Sequence, residues 1–170
     1  MLQIQCTQKV FKAFGFTPEE IPERPNKTVL GVWHANLITF WDNDFLLFVN
    51  NSTLYAVPIH VPDVRSQINI GVLFKENLHN FLITDEVSER VVQAKIAELE
   101  STIFTKTTGR GILGTMNNLK QIMDFYIERK FENLGSIKML ELQKHLNRIP
   151  QRTIGWKYAV EAMRELLLNE

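Results

Sequence analysis

Three consecutive apolar runs in the first half of the chain constrain its fold more than any other feature. They cover residues 29–40, 45–49 and 53–59. The runs are rich in the β-branched and aromatic side chains that strands favour. Asp42-Asn43-Asp44 and Asn50-Asn51-Ser52 separate them, and these residue types tolerate the backbone of tight turns. The pattern therefore predicts an antiparallel meander of three strands.

The segments around the meander add two strands and several helices. Residues 2–5 alternate apolar and polar side chains, and 102–107 are β-branched at several positions, so each predicts a strand. Elsewhere, apolar side chains recur at the three- and four-residue spacing of a helix face. Helices are predicted over 8–14, 70–81, 92–99 and 112–126, from Ser136 to before Pro150, and over 156–168, with a loop over 17–27.

The order of these elements indicates the fold class. Strands early in the chain and helices late in it are typical of α+β proteins rather than of alternating α/β folds. We therefore expect one α+β domain over 1–170, in which a small, mostly antiparallel sheet is covered by four to six helices.

Composition excludes several classes of protein. The chain has 19 acidic and 19 basic residues, so its net charge gives no overall preference for nucleic acid, anionic lipid or acidic ligands. No apolar stretch approaches the roughly 20 residues of a membrane span, and the start of the chain lacks the pattern of a secretory signal. The lone Cys6 cannot form an internal disulfide. These features predict a cytoplasmic protein that does not enter a membrane.

A glycine run, Gly109-Arg-Gly111-Ile-Leu-Gly114, follows the predicted strand 102–107. Its spacing, Gly-x-Gly-x-x-Gly, is typical of dinucleotide-binding folds, where the following helix N-terminus faces the pyrophosphate. No apolar strand follows this helix, however, and Glu128 falls inside it instead of at a strand end. We therefore interpret the run as a structural turn and expect no cofactor. Contact with an anion, aided by Lys106 and Arg110, is the milder hypothesis.

Nucleophilic or metal chemistry has little support in the sequence. Cys6, His34 and Asn36 match the residue types of a thiol-protease trio, but a lone cysteine is more often buried and inert. The histidines lack His-x-x-x-His spacing, and no Cys-x-x-Cys pair exists, so no metal is expected.

The C-terminal third is a second candidate for contact with nucleic acid. Trp156 and Tyr158 are available there for stacking on bases. An amphipathic helix carries a solvated basic face by default, so the structural interpretation is the favoured one. The cationic or titratable residues of this segment are Lys138, Lys144, His145, Arg148, Arg152, Lys157 and Arg164.

Several stretches together resemble an uncharacterised family of small bacterial proteins. They are Cys6-Thr-Gln-Lys9, Trp33-His-Ala-Asn36, Asn51-Ser-Thr-Leu54, Lys106-Thr-Thr-Gly-Arg-Gly-Ile-Leu-Gly-Thr-Met-Asn117, Leu146-Asn-Arg-Ile-Pro150 and Ile154-Gly-Trp-Lys157. The central motif of the family resembles Lys-Thr-x-Asn-Arg-Ser-(Val/Ile)-Leu-Gly-(Ser/Thr)-Met-Asn. Lys106, Thr107, Arg110, Gly114 and Asn117 match this motif.

Two glycines depart from that motif, because Gly109 and Gly111 stand where Asn and Ser are more usual. The departure further weakens the dinucleotide interpretation. The resemblance implies a domain of unknown function and no known activity. Members are similar to proteins found in bacterial chromosomes and mobile elements, which favours binding over catalysis.

A set of polar side chains lies at the ends of the predicted elements. Its members, besides Thr7, are Lys9, Asn36, Lys106, Thr107, Arg110 and Asn117. We expect them to converge on one rim of the sheet if strand 102–107 pairs near the meander. Such donors suit an anionic group, a phosphodiester or a carboxylate, better than acid–base chemistry. The competing interpretation is that these groups cap helices and close turns.

The predicted function is a non-catalytic binding or regulatory module. Its expected partner is a nucleic acid or phosphate group, or another protein. The alternative is a small enzyme that acts on a nucleotide or phosphorylated substrate through the turn at 106–117.

Overall fold

A computed structural model describes residues 1–21, 28–61 and 68–168, apart from the side chain of residue 134. The strands are β1 Leu2–Cys6, β2 Val32–Phe40, β3 Asn43–Asn50, β4 Ala56–His60, β5 Thr102–Lys106, β6 Pro150–Gln151 and β7 Lys157–Tyr158. The helices are α1 Gln8–Phe14, α2 Ile70–Thr84, α3 Glu89–Ala97, α4 Arg110–Lys130, α5 Met139–Leu146 and α6 Ala159–Leu168. The α+β fold class is confirmed. The predicted loop over 17–27 lies partly outside the described residues.

The main sheet has five strands in the order β4-β3-β2-β1-β5. The predicted meander β2-β3-β4 is antiparallel, as expected. The N-terminal strand β1 is parallel to both of its neighbours, with Cys6 opposite Ala35 of β2 and Lys106 of β5. The sheet is therefore mixed, and β1, β2 and β5 point their carboxyl ends toward the same edge.

The two faces of the sheet carry separate apolar cores, because side chains alternate along each strand. On the first face, Trp33 and Phe48 pack with α2 and with Val10 and Phe11 of α1. On the second face, Ile38, Phe40, Phe45 and Leu47 pack with α4 and α5. The helices α1 and α4 therefore cover opposite faces.

Three local predictions are wrong, and each error has a physical reason. The first hairpin turns at Trp41 and Asp42, both with positive φ, while Asn43 and Asp44 belong to β3. Strand register, rather than the turn preference of single residues, therefore sets this turn.

The other two errors concern helix starts. Ser136 does not cap α5; it exchanges hydrogen bonds with Asn133 in a local turn, and α5 starts at Met139. Trp156 does not start the last helix; it lies at the tip of the β6–β7 hairpin, and α6 starts at Ala159. Ser136 has the polarity of a helix cap, and Trp156 has the size of a residue on the apolar side of a helix. At both positions, however, local bonding of the backbone determines where the helix starts.

Side chains cover part of both outer strands of the sheet. The Asn147 side chain accepts from the Ala56 amide at 2.7 Å and donates to the Ala56 carbonyl at 2.7 Å, as a neighbouring strand would. On β5, the Glu19 carboxylate accepts from the Phe104 amide at 3.0 Å, and the Glu19 amide donates to the Phe104 carbonyl. Exposed sheet edges invite pairing with other chains, so these contacts block part of each edge from such pairing.

Candidate anion-binding crevice

The connections that leave β1 and β5 diverge to opposite faces of the sheet. The strands are adjacent and parallel, yet β1 leads into α1 on the first face and β5 leads into α4 on the second. In open sheets, ligands bind in the crevice outside the carboxyl ends of parallel strands at such a point of divergence. We call the space between Thr7, Lys9, Asn36 and residues 106–110 the switch-point crevice.

Five of the six predicted site residues lie at or near the carboxyl ends of the parallel strands. Lys106 ends β5, and the Thr107 amide donates to the Cys6 carbonyl at the end of β1. Arg110 starts α4, and Lys9 lies in the first turn of α1. Asn36 lies on β2, one residue beyond the partner of Cys6.

Asn117 is the sixth, and it lies away from the edge. It is exposed on α4, seven residues after Arg110, which places it about 10 Å along the helix. The two residues share the solvent face of α4, because seven residues complete nearly two turns.

Asn36 is the buried polar group of the crevice. Its residue is only 9% exposed, and its Oδ1 accepts a hydrogen bond of 2.9 Å from the Thr7 hydroxyl, which fixes the amide over the end of β1. The other atom of that amide, Nδ2, donates to no partner among the described residues. A donor amide held in this way is ready to bind an acceptor in the crevice.

The start of α4 supplies further free donors. Gly109 is the N-cap and has no side chain to accept from the first turn, where no acidic residue lies. In the described part of the chain, no group accepts from the amides of 110–112. Free amides and the helix dipole favour an anion at this position.

The cations of the crevice are exposed and have no acidic partner. No ion pair or hydrogen bond within the described residues involves the side chains of Lys9, Lys106 or Arg110. The acid on the neighbouring edge, Glu19, is bonded to the Phe104 amide instead. Because the whole chain has zero net charge, these three cations form a local excess of positive charge.

The glycines of the run do not form a nucleotide-binding turn. Gly109 has φ −86°, and Gly111 and Gly114 lie inside α4, so none adopts the left-handed backbone that favours glycine. The helix α4 continues to Lys130 and is followed by α5, without an intervening strand of the sheet. The Thr107 hydroxyl already donates to the Gln5 carbonyl at 2.9 Å, so its proton serves the fold and not a ligand.

Cys6 and His34 do not form a reactive pair. Burial raises the pKa of the Cys6 thiol to about 12, and the thiol contacts the Ile4 carbonyl. Burial lowers the pKa of His34, and its Nε2 contacts Asn51 Oδ1 at 3.0 Å. A protonated, buried thiol is not a nucleophile near neutral pH. The structure therefore does not support the thiol-protease interpretation.

The thiol predicts a loss of stability in alkali. Because the pKa of Cys6 is about 12 in the folded chain and 9.0 as a free side chain, the unfolded state releases its proton first. The free energy of unfolding should therefore fall between pH 9 and 12, by up to about 1.4 kcal/mol per pH unit from this group. Urea unfolding at pH 8 and pH 10 measures the change, which should be smaller in Cys6→Ala. Equal changes in the two proteins would contradict the assignment.

Other surfaces offer less to an anion. A hollow of about 480 Å³ between the β3–β4 turn, the β6–β7 hairpin and α6 is crossed by the Lys157–Glu165 ion pair, so its charges are compensated. Arg148 and Arg164 of the basic C-terminal third bind the carboxylate and the carbonyl of buried Asp85. Part of the positive charge of that segment is therefore engaged in bonds within the fold.

No group of three or more metal-ligating side chains occurs among the residues that the structure describes. Nor does any helix within them have the length and apolarity needed to cross a bilayer.

Sequence reasoning anticipated an anion contact at the start of α4 but missed the arrangement of Asn36. The position of its Nδ2 depends on the bond between Asn36 and Thr7, which carries no signal in the sequence. The Asp85 cluster was also missed, because nothing marks that residue as buried before the helices are packed.

Comparisons with known proteins agree with the resemblance found in the sequence. No curated protein matches the chain at a significant level. A family model described as a domain of unknown function (DUF6933) matches residues 3–162, which include β1 apart from Leu2, every element from α1 to β7 and all residues of the crevice. The chain therefore belongs to the DUF6933 family.

Proposed function

We propose that this protein is a non-catalytic binding module that holds an anionic group, a phosphate or a carboxylate, in the switch-point crevice. The observation that carries the proposal is the Asn36 side chain, on a residue that is 9% exposed, whose Oδ1 is held by the Thr7 hydroxyl and whose Nδ2 donates to none of the described residues. Because the amide is held in place at the end of β1, its Nδ2 can donate to an acceptor in the crevice.

Charge and backbone donors support the same proposal. Lys9, Lys106 and Arg110 border the crevice without acidic partners among the described residues. The free amides of 110–112 add neutral donors at the positive end of a 21-residue helix. Together they resemble the donor sets that bind phosphate at helix N-termini.

The enzymatic alternative has weaker support. Cys6 carries the thiol nearest to the crevice, and that thiol is protonated at neutral pH. His34 is buried, and its Nε2 contacts Asn51 Oδ1. The residues that define the crevice include no histidine and no carboxylate, the groups that most often transfer protons in active sites. Binding without turnover is therefore the function that we propose.

Titration with inorganic phosphate, followed by amide chemical shifts at constant ionic strength, tests the proposal. We expect saturable shifts at residues 107–112. In the double variant Lys106→Gln/Arg110→Gln, the affinity should fall about tenfold or more, because charge-assisted hydrogen bonds are lost.

Lys144→Gln is the matched control. It removes an exposed cation of α5 that lies outside the crevice, and it should leave the affinity unchanged. Equal losses in the control and the double variant would show that phosphate senses only overall charge, and the proposed function would then be rejected.

A further inference from the structure

We propose that His34 couples the switch-point crevice to pH, so that protonation of its ring strengthens the binding of an anion and a bound anion favours protonation. This inference rests on the proposed function and adds a regulation of the same site. It starts from the side chains that lie directly behind the crevice on the second face of the sheet.

Strand register places His34 one row behind Asn36. Both residues lie on β2, two positions apart, so their side chains point to the same face and start about 7 Å from each other. Their partners on β3, Val49 and Leu47, belong to the apolar core of the second face. The His34 ring is therefore close enough to the crevice to interact with a charge held there.

The ring of His34 is neutral, and one of its nitrogens is available for a second proton. The side chain is buried, and Nε2 lies 3.0 Å from the acceptor Asn51 Oδ1, so Nε2 carries the proton of the neutral ring. The buried Nδ1 has no hydrogen-bond partner among the described residues. A proton added at Nδ1 would create a buried cation without an acceptor, which is costly unless a negative charge lies nearby.

The groups around His34 supply no such negative charge. Its neighbours in the row, Gln5 of β1 and the core residue of β3, are uncharged. The first charged residues of α4, the helix that covers this face of β2, are Arg110 at its exposed start and Lys120, which is paired with Asp124. Within the described residues, no acidic side chain bonds to the ring, and burial lowers its pKa.

An anion in the crevice changes this balance. Without one, the exposed cations Lys9, Lys106 and Arg110 repel a positively charged ring. A bound anion offsets these charges and places a negative charge within about one Debye length of the ring, about 10 Å at 0.1 M salt. Because linkage is reciprocal, the anion raises the proton affinity of His34 by the factor by which the proton raises the anion affinity. Anion binding should therefore strengthen as the pH falls.

Titration with sulfate tests the inference, because the charge of sulfate, unlike that of phosphate, is constant between pH 5 and pH 8. Amide shifts at residues 107–112 give the dissociation constant at each pH, at constant ionic strength. The ring resonances of His34 give its pKa with and without sulfate. We expect the affinity for sulfate to rise about tenfold from pH 8 to pH 5, and the pKa of His34 to rise when sulfate is bound.

Two variants assign the pH effect to one histidine. His34→Gln keeps a polar side chain that cannot be protonated, so its affinity for sulfate should be the same at both pH values. His79→Gln, on α2 at the opposite face of the sheet, is the matched control and should keep the tenfold rise. An equal rise in His34→Gln would overturn the coupling. So would a pKa of His34 that sulfate does not change, a measurement that needs only the unaltered protein.

The outcomes separate this inference from the proposed function. Saturable shifts at residues 107–112 with the same affinity at pH 8 and pH 5 would keep the crevice and reject its control by His34. If the crevice binds phosphate but not sulfate, the pKa of His34 with and without phosphate decides in the same way. Failure of the unaltered protein to bind either anion at both pH values would reject both proposals.

Discussion

Replacing Asp85 with alanine should lower the free energy of unfolding by about 4 kcal/mol, the largest effect that we expect from one substitution. The Asp85 side chain is fully buried. Its carboxylate accepts from the Tyr55 hydroxyl at 2.5 Å, from Gln143 Nε2 at 2.6 Å and from Arg148 at 2.9 Å. Its loss leaves the buried Tyr55 hydroxyl without its acceptor and removes one acceptor from Gln143 and from Arg148.

The cluster around Asp85 joins four elements. Asp85 follows α2, Tyr55 precedes β4, Gln143 belongs to α5, and Arg164 of α6 donates to the Asp85 carbonyl at 2.8 Å. Burial and the nearby Asp85 carboxylate raise the pKa of Tyr55 well above its ordinary value, so the hydroxyl keeps its proton and donates. The substitution should therefore loosen the packing of α5 and α6 as well as reduce stability.

Urea unfolding near pH 7 measures the effect. Tyr55→Phe removes only one donor and should cost about 1–2 kcal/mol. Asp42→Asn, at an exposed turn, is the matched control and should change stability by less than about 0.5 kcal/mol. A loss in Asp85→Ala no larger than that of the control would contradict a stabilising role for the cluster.

The second large effect is expected at Asn147. Its side chain binds both the amide and the carbonyl of Ala56 on β4, and it is fully buried. Asn147→Ala leaves two buried backbone groups unpaired, so we expect a loss of about 3 kcal/mol.

Asn147→Asp separates the two bonds in the same urea experiment. Aspartate keeps an acceptor for the Ala56 amide but places a second oxygen near the Ala56 carbonyl. It should therefore destabilise the fold at least as much as alanine does. If Asn147→Asp were as stable as the unaltered protein, the side chain would not be acting as a substitute strand. Because β4 is an edge strand, both variants should also aggregate more readily.

The parts of the fold that could be predicted from sequence are those governed by local periodicity. The meander, α1, β5 and α4 have strong two-residue or helical patterns, and the structure has them close to the predicted positions. The turn at Trp41 and the hairpin at Trp156 were not predicted, because each places a bulky residue at positive φ against its own preference. Long-range pairing determines both.

The same distinction applies to the candidate site. Lys106 and Arg110 were identifiable because they flank a predicted strand-to-helix turn. The departure of α1 and α4 to opposite faces depends on which apolar stripe meets which face of the sheet, and no local pattern encodes that choice. Asn36 and Thr7, 29 residues apart, meet only because β1 is inserted beside β2.

The side-chain amide resonance of Asn36 tests the central claim most directly. On addition of inorganic phosphate, the two Nδ2 protons should shift saturably, with the same dissociation constant as the backbone amides of 110–112. That result would place one anion in contact with the buried amide and with the start of α4. Shifts at 110–112 without any change at Asn36 would contradict the crevice, since the anion would then lie only on the exposed helix end.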